Sequence, residues 1–256
     1  MEQSETELAR ELARVRAVYS RRDDIPAYST LYSLFNEATL LHVQSLERRL
    51  LALLKRHSLT DLAAAKVLDV GCGDGGNLRR FVEYGARPEN LSGIDLMAHR
   101  IQRARALHPT IDWRTGSAHE LPYPNNTFDL VLIFTVLSSI LDGEVRRKIA
   151  DEIMRVCKPG GFALCHDLAY SNPRNPSVQG ITRREVQRLF AHLGTRFDYR
   201  RVALAPPVSR LLAPHARWLA DTLEQLRVLN THFLCLITLG ETEARVAQGV
   251  RGAGGT

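Results

Sequence analysis

The sequence predicts an α/β fold: an open, mostly parallel seven-stranded sheet with helices on both faces and an antiparallel final strand. Two observations carry this prediction. From residue 66 onward, short apolar segments alternate with amphipathic helical patterns, as in parallel strands joined by crossover helices. The first apolar segment also runs directly into a glycine-rich turn and a helix start. The predicted strands cover residues 66–70, 90–94, 111–115, 128–134, 161–166, 200–204 and 233–239.

The segments between these strands complete the order. Helices are expected to begin near Gly76, Ala98, Gly143 and Thr182. A further helical stretch at 218–229 separates the last two strands, which we expect to close the sheet as an antiparallel pair.

The region before the first strand is predicted to be helical. Ser4 and Glu7 have the spacing of a capping box, and apolar residues recur at helical spacing through 4–20. A second, longer amphipathic helix is expected over 29–57. We therefore divide the chain into an N-terminal helical extension at 1–60, an α/β domain at 61–245 and a flexible tail at 246–256, where periodicity is absent.

The composition is that of an ordinary globular protein. Of 256 residues, 45% are hydrophobic and 24% charged, which leaves enough apolar side chains for a buried core. The longest apolar runs, at 130–137 and 233–239, are far shorter than the ~20 residues of a membrane-spanning helix. Residues 1–5 lack the basic and apolar regions of a secretory signal. We therefore expect a cytoplasmic protein with no membrane partner.

Charged residues and cysteines argue against two further classes of function. The net charge of +6 is spread along the chain rather than clustered, which argues against a nucleic-acid partner. The cysteines are widely spaced and form no C-x-x-C pair, so neither a metal site nor a disulfide framework is predicted.

The glycine-rich turn lies between the first strand and the following helix, in the run Asp69-Val70-Gly71-Cys72-Gly73-Asp74-Gly75. Glycines allow the backbone to approach a ligand closely, and the helix N-terminus offers free N–H groups. The second strand ends in Asp95, where an open α/β sheet places an acid against ribose hydroxyls. The two features together predict a nucleotide-like ligand, whereas the turn alone is also compatible with a tight turn that binds nothing.

The spacing of the turn argues against a dinucleotide. A bound dinucleotide favours G-x-G-x-x-G, while this chain has Gly71-x-Gly73-x-Gly75 with Asp69 before it. A carboxylate at that position repels pyrophosphate but suits an ammonium group, such as the amino-acid end of a methionine-derived cofactor.

These residues resemble the motifs of class I S-adenosylmethionine-dependent methyltransferases, which have a Rossmann-like fold. The first motif of that family is an acid followed by G-x-G-x-G, matched by the turn, and the acid of its second motif matches Asp95. Three further segments, at 116–122, 128–131 and 155–161, resemble the later motifs in order and spacing. The resemblance covers residues 67 to about 168 and implies that 61–245 is a methyltransferase domain.

The resemblance also implies a cofactor, S-adenosylmethionine, with S-adenosylhomocysteine as product. It assigns cofactor binding to residues at the carboxyl ends of the first four strands, namely Asp69, Gly71, Cys72, Gly73, Asp95, Leu96, Ser117, Ala118 and Phe134. The residues of the turn would line the methionine portion of the cofactor. Asp95 and Leu96 would contact the ribose and the edge of adenine, and Ser117 and Ala118 would contact the polar edge of adenine. Phe134 would offer its backbone carbonyl to the amino group. Members of the family commonly have an acidic residue at the position of Ser117. The serine hydroxyl is a weaker, neutral hydrogen-bond acceptor for the adenine amino group.

Methyl transfer is an in-line displacement, and a hydroxyl acceptor additionally needs a base. The end of the fifth strand faces the ligand crevice of an open α/β sheet, and His166 lies there. We predict His166 as the catalytic base; His119 and His232 are weaker candidates. Asp167 is expected to point away from His166, because neighbouring side chains alternate along a strand. The polar segment at 170–176 is a candidate for reading the acceptor.

The sequence predicts O-methylation of a small-molecule acceptor, in bacterial natural-product or surface-glycan biosynthesis. The alternatives are N-methylation of a small molecule and a non-catalytic S-adenosylmethionine-binding module. Residues 134–139 lack the D/N-P-P-aromatic motif of nucleic-acid base methyltransferases. The N-terminal helices, with Tyr28 and Tyr32, are expected to form the lid that small-molecule members of this family often carry. The sequence leaves the oligomeric state open.

Overall fold

The computed structural model describes residues 2–173, 175–191, 194–227 and 229–240, and the side chains of these residues except at 2–4 and 27–29. Three helices come before the first strand: α1 (Glu2–Asp23), α2 (Pro26–Leu31) and α3 (Glu37–Arg56). The strands are β1 (Val67–Val70), β2 (Leu91–Asp95), β3 (Asp112–Thr115), β4 (Phe128–Phe134), β5 (Cys157–Leu168), β6 (Arg196–Leu204) and β7 (Asn230–Thr238). The later helices are α4 (Gly76–Glu83), α5 (Ala98–Leu107), α6 (Gly143–Val156), α7 (Arg183–Leu189), α8 (Pro206–Leu212) and α9 (Arg217–Leu226).

The strands form one seven-stranded sheet in the order β3-β2-β1-β4-β5-β7-β6. Strands β1 to β5 pair in parallel, and β7 pairs antiparallel with both β5 and β6. The predicted fold class is therefore confirmed. The strand order reverses between β1 and β4, and in open α/β sheets the ligand crevice lies outside the carboxyl ends of the strands at that point. We call this side of the sheet the ligand edge.

Helices cover both faces of the sheet, as predicted. Buried residues of α3, α4 and α5, including Leu50, Leu78 and Ile101, pack on one face. Residues of α6 and α7, including Ile149 and Val186, pack on the other, where Val15 of α1 joins them. The central strands are buried from both sides, which explains why β1 and β4 read as nearly continuous apolar runs.

The structure corrects the helix predicted over 29–57. The chain leaves the helical path after α2, and Asn36 then caps α3, its side chain accepting hydrogen bonds from the backbone N–H groups of Ala38 (3.1 Å) and Thr39 (3.2 Å). The break between α2 and α3 was not predicted, because apolar residues recur at helical spacing on both sides of it. An asparagine at this position favours a helix start because its side chain satisfies free N–H groups.

Other boundaries also differ from those predicted from the sequence. Strands β5 and β6 begin four residues before the predicted 161 and 200, respectively. Helix α8 was not predicted, although Pro206 and Pro207 stand at its first turn, where proline is tolerated. The predicted tail at 246–256, and the end of the predicted domain after residue 240, lie outside the described residues. In the part of the chain that is described, no helix has the length and hydrophobicity needed to cross a membrane.

Candidate functional site

The glycine turn after β1 has a left-handed backbone that residues with side chains rarely adopt. Gly71, Gly73 and Gly75 have φ angles of 73°, 54° and 79°. A Cβ atom on Gly71 would lie 2.4 Å from Cγ2 of Val136, and one on Gly75 would lie 2.2 Å from Cη2 of Trp113. Both are shorter than any normal contact, so these two glycines are required by packing as well as by conformation.

Asp95 fixes this turn from the end of β2. Its Oδ2 accepts a hydrogen bond from the N–H of Gly73 (2.9 Å), and its Oδ1 accepts one from the N–H of Met97 (2.8 Å). The carbonyl of Ile94 accepts from the N–H of Gly71 (2.8 Å) and of Cys72 (3.1 Å). Each carboxylate oxygen keeps a second lone pair, so Asp95 retains capacity to accept from ribose hydroxyls.

Asp69 is fully buried beneath the turn and only partly satisfied. Its Oδ2 accepts from Nδ2 of Asn77 (3.2 Å), while its Oδ1 has no hydrogen-bond partner. Burial, with a smaller contribution from nearby Asp95, raises the pKa of Asp69 to about 8. An unused carboxylate oxygen in a low-dielectric site suits an ammonium group, so the residue fits the amino end of S-adenosylmethionine.

A cavity of about 140 Å³ opens at the ligand edge beside this turn. It is lined by six of the residues assigned to the cofactor, which are Gly71, Asp95, Leu96, Ser117, Ala118 and Phe134. Asp69, Cys72 and Gly73 do not line it; Asp69 and Cys72 are buried behind the turn. The structure therefore brings six of the nine predicted cofactor residues to one cavity, while Asp69 and Cys72 are buried behind the turn and Gly73 lies within it.

Helix α1 closes one side of the cavity with Leu12, Val15 and Tyr19. These residues were missed in the sequence, because a periodic apolar stripe on a helix is equally explained by core packing. The expected lid aromatics take no part in it: Tyr32 is exposed and does not line the cavity, and the side chain of Tyr28 lies outside the described residues.

Polar contacts hold α1 against the domain at both ends of the cavity. The hydroxyls of Tyr19 and Ser139 share a hydrogen bond of 2.7 Å, and Arg14 donates to the backbone carbonyl of Ser139. Farther along the helix, Asp23 accepts from His99 (2.7 Å) and from Nε of Arg100 (3.0 Å) at the start of α5.

Ser117, the departure from the family motif, is engaged with a histidine. Its Oγ lies 2.6 Å from Nδ1 of His119, within hydrogen-bond distance. Burial lowers the pKa of His119, so the ring is neutral at neutral pH. His119 therefore orients the Ser117 hydroxyl and does not itself line the cavity.

The backbone is strained where β4 ends. Thr135, a β-branched residue, has a φ angle of 57°, at a cost on the order of 1–3 kcal/mol. Its N–H donates to the carbonyl of His166 (2.7 Å) and its hydroxyl to the carbonyl of Phe134 (2.7 Å). Such strain clusters at functional sites, and here it sets the direction of the Phe134 carbonyl, which the family motif assigns to the cofactor.

His166 lies at the end of β5 in a cluster with two other histidines. Its ring centroid is 5.5 Å from that of His232 on β7 and 6.0 Å from that of His42 on α3, and the ring of Phe134 is 5.4 Å away. His166 is buried, and its Nε2 has no hydrogen-bond partner. Burial, with the neighbouring His232 and His42, lowers the pKa of His166 well below its ordinary range.

The other candidates near the end of β5 are placed as follows. Asp167 points to the opposite face of the sheet, as expected, and accepts hydrogen bonds from the N–H groups of Ser138 (3.0 Å) and Leu168 (2.8 Å). Within the predicted acceptor-reading segment at 170–176, Tyr170 is exposed and its hydroxyl accepts from Arg201 (2.8 Å). None of the described residues of this segment, 170–173 and 175–176, lines the cavity.

Among the described residues, no three histidine, cysteine or acidic side chains are arranged to hold a metal ion. All cysteines are buried as free thiols. A sheet in this order, with a glycine turn and an acid at the ends of its first two strands, defines a Rossmann-like domain built for a nucleotide-type cofactor.

Part of the domain is similar in sequence to known methyltransferases. Residues 67–161 match the family model of a methyltransferase domain. The phthiotriol/phenolphthiotriol dimycocerosates methyltransferase 1 of Mycobacterium ulcerans is 34% identical over 114 residues, which are 44% of this chain and 41% of that protein. The fatty-acid O-methyltransferase of Mycolicibacterium smegmatis is 35% identical over 109 residues, 42% of this chain and 38% of that protein. The match thus spans less than half the length of these curated relatives.

Solved structures agree on the fold. The cyclase SpnF has a TM-score of 0.53 at 18% identity, with 76% of this chain and 82% of that chain covered. The S-adenosylmethionine-dependent methyltransferase from Mesorhizobium loti has a TM-score of 0.53 at 18% identity, with 72% of this chain and 94% of that chain covered. Residues 67–161 are thus similar in sequence to methyltransferase domains, and the sheet as a whole has the fold of solved S-adenosylmethionine-dependent methyltransferases.

Proposed function

We propose that the chain transfers a methyl group from S-adenosylmethionine to a hydroxyl group of a small-molecule acceptor. The observation that carries this proposal is the convergence at one cavity of the glycine turn, Asp95, Ser117 and the carbonyl end of β4, with the unpartnered Oδ1 of Asp69 behind the turn. Fold alone is not sufficient support, because a fold of this kind also hosts the cyclase SpnF.

The residues around the cavity divide the cofactor between them. Asp69 would neutralise the amino group, the backbone of Gly71 would lie against the methionine chain, and Asp95 would accept from the ribose hydroxyls. Leu96 and Ala118 would enclose adenine. Bound S-adenosylmethionine supplies an electrophilic methyl group on a sulfonium. Because the cavity is smaller than the ~300 Å³ at which ligand sites begin, α1 would serve as a lid that moves outward to admit the cofactor.

His166 would act as the base. Its low pKa keeps the imidazole neutral at neutral pH, so a lone pair is available for the proton of an acceptor hydroxyl. The ring lies against Phe134, whose residue lines the cofactor cavity. His166 itself does not line the cavity. We propose a hydroxyl rather than an amine acceptor because a hydroxyl has a proton that a base must remove.

Replacing His166 tests this role. We expect His166→Gln to lower the rate of transfer to hydroxyl acceptors by about 100-fold or more, since general bases contribute at least that much, and to leave S-adenosylhomocysteine affinity unchanged. The measurement is transfer of radiolabelled methyl to a panel of alcohols, phenols, glycosides, fatty acids and amines. His108→Gln, at the end of α5, is the matched control. Equal transfer by His166→Gln and wild type would remove His166 from the mechanism, and transfer to amines alone would support N-methylation.

The acceptor class is proposed from two sources. The whole-chain sequence pattern resembles methyltransferases of bacterial natural-product or glycan pathways, and the fatty-acid O-methyltransferase adds lipids as a second candidate class. The same panel separates them. Tight cofactor binding without transfer to any acceptor would support a non-catalytic S-adenosylmethionine-binding module instead.

A further inference from the structure

Four of the large apolar side chains that are exposed among the described residues lie just before α3 and in α8 and α9. Phe35 is 99% exposed, Trp218 72%, Leu211 70% and Leu34 55%. We call these four residues the apolar rim. Single exposed apolar residues are ordinary, but a group on one side of a domain indicates an interaction surface.

The topology places the rim at the ligand edge. Strand β6 runs in the same direction as β5, because both pair antiparallel with β7. Helix α8 therefore leaves β6 at the ligand edge, and the chain returns through α9 to the same edge, where β7 begins. Leu211 and Trp218 belong to these two helices.

Helix α3 brings the other half of the rim to the same edge. Near its start, the His42 ring meets His166 and His232 at the ligand edge, whereas His57 at its end bonds Asp198 near the start of β6. The helix thus runs from the ligand edge to the opposite edge, and Leu34 and Phe35 come just before it.

Direct contacts join the two halves. Arg217 of α9 pairs with Glu37 of α3 at 3.8 Å. Beneath them, a small apolar core of Ala38, Leu41, Ala213 and Ala220 packs α3 against the segment that follows β6. The rim residues therefore stand on one packed unit.

Charge indicates the partner of the apolar rim. The chain has a net charge of +6, although Arg200 and Arg217 in this part are paired with Asp198 and Glu37. Arg210, next to Leu211, is exposed. Aromatic and aliphatic side chains accompanied by arginine are the pattern of segments that lie in the interface of an anionic bilayer.

We propose that the apolar rim, with Arg210, docks the domain on an anionic lipid bilayer with its ligand edge toward the membrane. This replaces the expectation of no membrane partner, which considered only apolar runs long enough to span a bilayer. The docking stands apart from the proposed function. Its consequence, that the acceptor is an apolar hydroxyl compound taken from the membrane, rests on that function.

Vesicle sedimentation tests the docking. We expect the full chain to co-sediment with phosphatidylcholine–phosphatidylglycerol vesicles, and more weakly with phosphatidylcholine alone. The double variant Phe35→Ser with Trp218→Ser should lose about tenfold or more in vesicle affinity, because it removes two large interfacial side chains. Arg210→Glu should weaken binding to the anionic vesicles only. Leu107→Ser is the matched control, since Leu107 is 54% exposed at the end of α5, on the opposite edge.

Several results would overturn the docking proposal. One is a wild-type chain that stays in the supernatant with both kinds of vesicle. Another is vesicle binding by the double variant that equals that of the wild type. A third is a wild-type chain that binds no vesicles but forms a dimer in light scattering, which the double variant converts to a monomer. Calorimetry with S-adenosylhomocysteine separates this proposal from the proposed function. A double variant that loses vesicle binding but keeps its affinity for S-adenosylhomocysteine has lost only the function of the apolar rim.

Discussion

Gly71→Ala is expected to abolish measurable cofactor binding and to destabilise the fold. The new Cβ would lie 2.4 Å from Val136, on a backbone with a φ angle of 73°. Left-handed backbone costs about 1–2 kcal/mol for a residue with a Cβ, and overpacking adds about 1–3 kcal/mol. The methyl group would also occupy the surface that faces the cofactor. Thermal unfolding and calorimetry with S-adenosylhomocysteine measure the two effects.

Gly85 provides the matched control, because it has a φ angle of 99° and a Cβ there would meet nothing within 4 Å. Gly85→Ala should pay only the conformational cost of about 1–2 kcal/mol and bind the cofactor normally. Adding Val136→Ala to Gly71→Ala should recover the stability lost to the clash, but neither the conformational cost nor the affinity. Full recovery of affinity in that double variant would contradict a close approach of the cofactor to Gly71.

Cofactor affinity is expected to depend on pH through Asp69. In the free protein, burial raises the pKa of this carboxyl to about 8, so it is mostly protonated at pH 7. Binding an ammonium group requires the carboxylate, so a proton must leave. Affinity should therefore rise with pH toward about 8 and fall again where the α-amino group of the ligand loses its proton. Calorimetry at pH 7 in buffers of different ionisation enthalpy should show about one proton released per ligand bound.

Asp69→Asn separates the binding role of this residue from its effect on stability. The folded-state pKa lies above the ordinary value of 3.8, so ionising the buried carboxyl destabilises the free protein progressively as the pH rises from about 4 to about 8. The variant should remove that loss, gaining about 2 kcal/mol or more at pH 8, while ligand affinity falls about tenfold or more and no longer rises with pH toward about 8. An unchanged affinity with the wild-type pH profile would contradict the assignment.

Much of the fold could be predicted from the sequence because the strands at the centre of the sheet are buried on both faces. Val67–Val70 and Phe128–Phe134 read as apolar runs, and their bounds were nearly correct. Predictions were poorer where local signals compete. The break before α3 was hidden by continuous apolar periodicity, and α8 by prolines that also occur in loops.

The candidate site shows the same division. The turn glycines and Asp95 follow from local pattern, because strand ends and turn spacing place them. Tyr19, Thr135 and His42 could not be found in this way, because their positions depend on tertiary packing. Tyr19 reaches the cavity because α1 folds over it, and Thr135 is strained where β4 ends. His42 joins the cluster because α3 crosses the end of β5 and the start of β7.

We propose that this domain binds S-adenosylmethionine at the turn after β1. Calorimetry of the purified chain, freed of bound ligand, measures this binding with S-adenosylmethionine and S-adenosylhomocysteine, and with NADH as control. We predict binding of both sulfur compounds and none of NADH. Binding of NADH, or of neither sulfur compound, would contradict the assignment.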